Sequence, residues 1–399
     1  MTTRQSPPTK NDRADCGEVL LLANYEPEAQ WSMLNFAQFL ADELPERGAP
    51  VRVMRPPARF GGSRSAGKWI RYVDKFVLFL PELRRAARAA EAAGGMLHIC
   101  DHSNALYLHA ARPARQVVTC HDLIAVRTAL GEFPGTGTGW SGRILQRLIL
   151  SGLRKAHFIV CDSYSTRRDL ERMIPKLAER LSVVHLSLDT RWRPLSDSEA
   201  RAMIAPLTFA QPARPVIFHL GANCWYKNWA GVLRIFARVA ARTVPGMPRP
   251  LLVLGSGALT AENRAWIREH GLEADVLGVG RLTPEQIHGL YALTRVFLFP
   301  SRYEGFGWPP LEAQACACPV VCSQEGSLAE IVEESALTAH PDDEATLAAH
   351  VEALLGDGPL RTDLIQRGLR NAARFTHART VDGYLAAYAA ARALPPRGA

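Results

Sequence analysis

The segment FPSRYEGFGWPPLEA, residues 299–313, decides how the chain is read. Four apolar residues ending at Phe299 make a short strand, Gly305 and Gly307 punctuate a loop, and a helix is expected to begin near Pro309 or Pro310, where the first turn tolerates proline. A helix start presents unpaired N–H groups and the positive end of its dipole, a seat for an anion. Glu304 lies in the loop and Glu312 in the first helical turn, a spacing that lets two carboxylates hold hydroxyl groups while amides hold phosphates. A loop with two solvated glutamates is the plainer alternative, and it accounts for neither the glycines nor the strand–loop–helix setting.

Outward from this segment, short apolar runs alternate with helical patterns along the whole chain, which predicts βαβ units and parallel sheets, an α/β fold. Expected strands in the first half are 19–23, 51–54, 96–99, 116–119, 158–161 and 182–186; in the second half they are 216–220, 251–254, 276–278, 296–299 and 320–322. The stretch from Asp189 to Pro215 carries Pro194, Pro206, Pro212 and Pro215 and reads as a linker. The expected division is a flexible tail at 1–17, an N-terminal domain at 18–205 and a C-terminal domain at 206–399, with alanine-rich helices from Thr346 to Leu394. Two such domains are expected to face a central cleft from the carboxyl ends of their sheets.

The 399 residues suit two domains of ordinary size, and 47% hydrophobic with 22% charged residues excludes a disordered or fibrous chain. A formal charge of +8 favours anionic partners without naming one. Eight scattered cysteines and a polar start fit a reduced compartment, so a cytoplasmic location is expected. No apolar run reaches the ~18 residues a membrane helix needs.

Three further blocks carry chemistry. HLGANCWYKNW, residues 219–229, reads as strand, glycine turn and helix, with Lys227 a point charge suited to a diphosphate or, more plainly, a solvated surface lysine. VVTCHDL, residues 117–123, sets His121 and Asp122 at the end of an apolar strand, where a structural histidine is the alternative. His98, Asp101 and His102 invite a metal reading, but nothing supplies a tetrahedral set, and Cys316, Cys318 and Cys322 read as small-residue packing. No metal is expected.

The run from Glu304 to Glu312, followed by a small-residue helix and Pro319-Val320-Val321, resembles the retaining GT-B glycosyltransferases of the family 4 type. The resemblance implies two Rossmann-like domains and a nucleotide-diphosphate sugar as donor. It implies that Glu312 holds the ribose, that Glu304 with the Gly305, Phe306 and Gly307 backbone holds sugar hydroxyls, and that Lys227 meets the pyrophosphate beside Gly221. Many members carry an arginine where this chain has Ala222, leaving Asn223, Arg281 or another group to complete the phosphate site. His121 is expected near the donor sugar with Asp122 orienting it, and His98, Asp101 and His102 on the acceptor side. No D-x-D occurs, which argues against the manganese-dependent GT-A class. Two glycines common after the first strand are replaced by Ala23-Asn24-Tyr25-Glu26, a change expected to alter acceptor recognition.

Between Arg52 and Arg88, ten basic residues face only Asp74 and Glu82, with Trp69, Ile70, Val73, Phe76, Val77 and Leu80 at helical spacing. The pattern suits an interfacial helix on anionic lipid, or a core-facing helix with a solvated basic side. A nucleic-acid role lacks any accompanying motif. The expected activity is metal-independent transfer of a sugar, mannose from GDP-mannose as first guess, to a glycan or polyprenyl-linked acceptor in surface polysaccharide synthesis. A non-catalytic nucleotide-sugar or glycan-binding subunit and a sugar-nucleotide epimerase are the alternatives.

Overall fold

The structure, a computed structural model, describes residues 17–62, 67–113, 115–207, 214–242 and 248–395. The expected tail therefore lies, but for Gly17, outside the described residues. The chain divides into two compact units, one built from the residues up to His185 together with those from His377 onward, the other from Leu186–Thr376.

The first unit holds six parallel strands: β1 (Val19–Leu22), β2 (Val51–Met54), β3 (Met96–Ile99), β4 (Gln116–Cys120), β5 (Phe158–Cys161) and β6 (Leu181–Val183), in the order β2-β1-β3-β4-β5-β6. β1, β3, β4 and β5 are buried throughout, as near-continuous apolar runs covered on both faces should be, whereas β2 at the edge is partly exposed. The second unit repeats the plan with β7 (Val216–Leu220), β8 (Leu251–Gly255), β9 (Val276–Gly280), β10 (Val296–Phe299), β11 (Val320–Ser323) and β12 (Leu337–Ala339), in the order β12-β11-β10-β7-β8-β9. β12 is missing from the sequence reading because three residues give no pattern, and β6 begins and ends earlier than expected.

The unit boundaries also differ from the proline-based division near residue 205. Helix Asp197–Ile204, opened by a Ser196–Glu199 capping box, packs on helix Pro284–Leu293, and Gly289 permits the approach, since a Cβ there would stand 2.8 Å from the Ala200 carbonyl oxygen. Leu188 N–H donates to the Phe375 carbonyl at 2.9 Å, and Trp308 Nε1 donates to the Ser187 carbonyl at 3.3 Å. The last alanine-rich helix, His377–Ala393, belongs to the first unit, because its buried Tyr384 and Tyr388 need polar partners and find them under β3 and β4.

Each sheet reverses strand order once. In the first unit the switch lies between β1 and β3, in the second between β7 and β10, and the loops leaving those strands bound the crevice where open α/β sheets take ligands.

Candidate donor and acceptor sites

In the second unit the two switch-point loops are 221–228, after β7, and 300–307, after β10. They are tied together by backbone and amide bonds. Arg302 N–H donates to the Tyr226 carbonyl at 2.7 Å, and Asn228, in the left-handed conformation at φ 57°, donates from Nδ2 to the Pro300 carbonyl at 2.9 Å. So clamped, the loops bring Lys227 Nζ within 2.7 Å of Glu304 Oε1. The lysine side chain is 15% exposed and the glutamate 9%, and the ammonium also lies 4.8 Å from the centre of the Phe299 ring. Lys227 is therefore no solvated surface charge. Its stem packs against Gly221, where a Cβ would stand 3.0 Å from Lys227 Cδ.

Ser327 fixes the rest of the loop after β10: its hydroxyl donates to the Glu304 carbonyl at 3.1 Å and to the Phe306 carbonyl at 2.5 Å. Gly307 ends the loop at φ 115°, a backbone region open to glycine, and caps helix Trp308–Ala315. The helix begins at Trp308, ahead of the expected prolines, so Glu312 is its fifth residue and lies beyond the first turn. Because Pro309 and Pro310 have no N–H, the helix start offers fewer amide donors than expected. Lys227 brings a positive charge to that loop through its pair with Glu304. Loss of hydration pushes the Glu312 carboxyl up to about 7, against the pull of the Tyr291 hydroxyl, which donates to Oε2 at 3.1 Å, and of the Arg191 charge.

Of the two groups expected to stand in for the missing arginine, Asn223 is exposed and donates its amide to Asn263 at 2.8 Å. Arg281 is exposed just after β9 and has no ion-pair partner among the described residues.

In the first unit the switch-point loops meet in the same manner: Asn24 Nδ2, after β1, donates to Asp101 Oδ2, after β3, at 2.6 Å. Asp101 also accepts from the Ser103 N–H and hydroxyl at 2.9 and 2.5 Å, and Asn104 donates to Asn24 Oδ1 at 2.9 Å. His102 Nδ1 is 3.3 Å from Asp101 and buried without a hydrogen-bond partner. His121, after β4, is spent on both ring nitrogens: Nδ1–H donates to Asp162 Oδ2 at 2.5 Å and Nε2–H to the Cys100 carbonyl at 2.9 Å. Burial opposes its charge, but Asp162, Asp101 and that carbonyl hold the imidazolium well above the usual histidine range. The partner of His121 is Asp162, not Asp122, whose carboxylate caps Ile124 N–H at 2.8 Å.

His98 does not belong to this cluster. It is buried under helix His377–Ala393, with Nδ1 bonded to the Tyr388 hydroxyl and Nε2 to the Thr119 hydroxyl, both at 2.8 Å, and burial pushes it down to about 3. A neutral core histidine satisfied on both sides cannot line an acceptor site. Asp162 escaped the sequence reading although it immediately follows a buried parallel strand, the position that also marks His121, whereas Asn24 was read only as part of the Ala23–Glu26 turn expected to alter acceptor recognition. Among the described residues no three His, Cys, Asp or Glu side chains gather as a metal-binding group, and the seven described cysteines are free thiols.

Helix 68–73, a wider turn at 74–78 and helix Leu80–Ala92 replace the expected single amphipathic helix. Asp74 is buried and accepts from the Tyr25 hydroxyl at 2.7 Å and Gly61 N–H at 2.8 Å, while Lys75 reaches both Glu28 oxygens at 3.0 Å. The apolar set splits: Phe76 and Leu80 pack on the core, whereas Ile70, Val73 and Val77 are exposed. The Trp69 side chain lies outside the described residues.

Against known families, a model of Glycosyl transferases group 1 matches residues 208–371 and a model of Glycosyltransferase Family 4 matches residues 35–192. The chain belongs to the GT-B glycosyltransferases of the family 4 type. This glycosyltransferase is 29% identical over 266 residues to O-antigen chain mannosyltransferase B of Escherichia coli, covering 66% of this chain and 68% of that one. It is 28% identical over 283 residues to D-inositol 3-phosphate glycosyltransferase of Rhodococcus erythropolis, covering 68% of this chain and 62% of that relative's length. Among solved structures, sucrose-phosphate synthase from Thermosynechococcus elongatus aligns at TM-score 0.69 and 19% identity over 92% of this chain and 96% of that one. The catalytic domain of starch synthase IV from Arabidopsis thaliana, bound to ADP and acarbose, aligns at TM-score 0.69 and 12% identity over 95% and 99%. Both likenesses show the GT-B fold.

Proposed function

We propose that this glycosyltransferase moves a sugar, mannose from GDP-mannose in the first instance, onto a glycan or polyprenyl-linked acceptor in surface polysaccharide synthesis, with retention of configuration and without a metal. The observation that carries this reading is the buried Lys227–Glu304 pair joining the two switch-point loops of the second unit. A diphosphate entering between those loops takes Glu304's place beside Lys227, and the freed carboxylate accepts hydroxyls of the sugar. Glu312 accepts from the ribose, and Arg281 is the cation left to supplement the phosphate contacts.

In the transfer, the bond from the anomeric carbon to the phosphate oxygen breaks and a bond to the acceptor oxygen forms on the same face. The acceptor hydroxyl's proton passes to the departing phosphate. The chain supplies orientation and a fixed positive charge where negative charge builds, so no covalent nucleophile is assigned. His121, held cationic by Asp162, adds positive charge to the first unit's polar cluster, where Asn24, Asp101 and His102 are suited to acceptor hydroxyls. The name of the Escherichia coli relative supports mannose and a surface glycan. The cytoplasm is the proposed compartment; no helix among the described residues is long and apolar enough to cross a membrane.

A panel of GDP-, UDP- and ADP-sugars, each assayed in EDTA with glycan acceptors and the product's anomeric configuration read by NMR, tests this. Transfer from GDP-mannose with an α-linked product is expected. Turnover strictly requiring a divalent metal, or an inverted product, overturns the mechanism.

A further inference from the structure

Helix Trp140–Leu153, which the sequence reading passed over, has two apolar faces where a soluble helix has one. Ile149, Leu150 and Leu153 are buried in the core. Gly152 sets the helix closely against segment His102–His109, since a Cβ there would stand 2.3 Å from the Ala105 carbonyl oxygen. On the opposite side Trp140, Ile144 and Leu148, four residues apart and so on one stripe, are 76%, 47% and 47% exposed. Exposed Arg143 and Arg147 flank that stripe, and the sequence has no acidic residue from Phe133 to Cys161.

The stripe has a neighbour. Segment His102–His109 touches both basic regions: His109 Nε2 bonds the Leu148 carbonyl at 3.4 Å, and the Tyr107 hydroxyl donates to the Lys75 carbonyl at 3.1 Å while its ring packs against Phe76. Beyond it, Ile70, Val73 and Val77 are 45%, 42% and 60% exposed. Two unpaired apolar ridges with arginines beside them therefore flank one short helical segment of the first unit.

We propose that this face, with helix Trp140–Leu153 at its centre, docks the enzyme on an anionic lipid bilayer. The apolar side chains enter the boundary between headgroups and acyl chains, with Trp140 at headgroup depth, and Arg143 and Arg147 meet lipid phosphates. Charge selects this occupant over a second copy of the chain, because a two-fold contact would set each arginine-flanked stripe against its own like charges. None of these residues is in the donor loops, which belong to the second unit, so the proposal stands independently of which sugar is used.

The test is co-flotation of the full chain with vesicles of phosphatidylcholine alone or mixed with phosphatidylglycerol, at low and high salt. Salt-sensitive binding to the mixed vesicles is expected. Trp140→Ser/Ile144→Ser/Leu148→Ser together should cut partitioning about tenfold or more, and Arg143→Glu/Arg147→Glu should remove the preference for anionic lipid, about fivefold per arginine. All five positions are exposed, and an unchanged melting temperature confirms that each variant folds. Equal flotation of wild type and the triple serine variant, or no flotation with either vesicle at low salt, overturns the proposal. So does a lipid-free dimer, seen by light scattering, that the triple variant abolishes. Neither readout uses donor or acceptor, so failure here leaves the donor assignment standing, and the reverse holds.

Discussion

Replacing Lys227 with alanine should weaken the second unit and disable the enzyme together, because one ion pair joins the loops and faces the chemistry. Coulomb's law at 2.7 Å and an effective dielectric of about 20 gives roughly 6 kcal/mol of attraction before lost hydration is subtracted. Hydration offsets most of it while both partners are present. Removing one leaves the other unpaired, which costs about 3–5 kcal/mol where burial is complete. With side chains 15% and 9% exposed, about 2–3 kcal/mol is expected for Lys227→Ala. At about 2–4 °C per kcal/mol for a unit of this size, its melting transition falls by about 4–12 °C. Adding Glu304→Gln removes the stranded charge and should recover at least half of that fall, although the double variant has no more activity than the single one. Differential scanning calorimetry of wild type, both single variants and the double variant closes the cycle. Strictly additive shifts, with no recovery in the double variant, would refute the claim that the pair holds the loops. In the same set, Lys227→Ala should lower turnover by about 10²–10³, the usual loss when one fixed charge-stabilising group is removed.

The raised Glu312 carboxyl predicts a pH signature. A native value of about 7 against an unfolded value of about 4.3 makes ionisation destabilising, so this site's contribution is most favourable at low pH and is lost as pH rises through 7. Glu312→Gln should therefore raise the melting temperature more at pH 8 than at pH 5 while weakening nucleotide binding, and wild-type nucleotide affinity should fall as pH drops below 7. For His121 the sign is opposite to a buried neutral histidine: its charge stabilises fully below about 6.5 and the contribution is lost as pH rises through its raised native value. Wild type should therefore lose melting temperature between pH 7 and 9, and Asp162→Asn should flatten that decline. Gly307→Ala forces a side chain into φ 115° with its Cβ 2.8 Å from Leu328 Cδ2, so thermal unfolding should register a loss of about 1–3 kcal/mol, with weaker donor binding by calorimetry.

Parallel sheets are legible in sequence because buried strands leave unbroken apolar runs, and ten of the twelve strands here start where those runs start, from Val19 to Val320. β12 escaped because three residues cannot carry a pattern. The unit boundary was read from proline content, which reports where the chain turns but not what it packs on; Gly289 under Ala200 and the Tyr384 and Tyr388 hydroxyls carry that information only in three dimensions. At the site, the spacing from Glu304 to Glu312 was visible, and so was Lys227. That Lys227 and Glu304 are partners was not visible, since the bond depends on two loops that follow neighbouring strands of the sheet but are separated in sequence by β8 and β9. His98 misled because a histidine ending an apolar strand looks the same whether its ring turns to the core or to a ligand. Asp162 and Asn24 show a usable rule: in a parallel sheet, the polar residue just past a buried strand is a site candidate whether or not a motif marks it.

The central claim is that the Lys227 and Glu304 loops hold a nucleotide-diphosphate sugar without a metal. Isothermal titration of GDP-mannose, UDP-N-acetylglucosamine and the free nucleotides into the full chain in EDTA tests it most directly, with Lys227→Ala beside the wild type. The account predicts binding of one nucleotide class, with GDP-mannose foremost, and a loss of at least tenfold in Lys227→Ala. Binding that appears only when a divalent cation is added, or that is equal in wild type and Lys227→Ala, would contradict it.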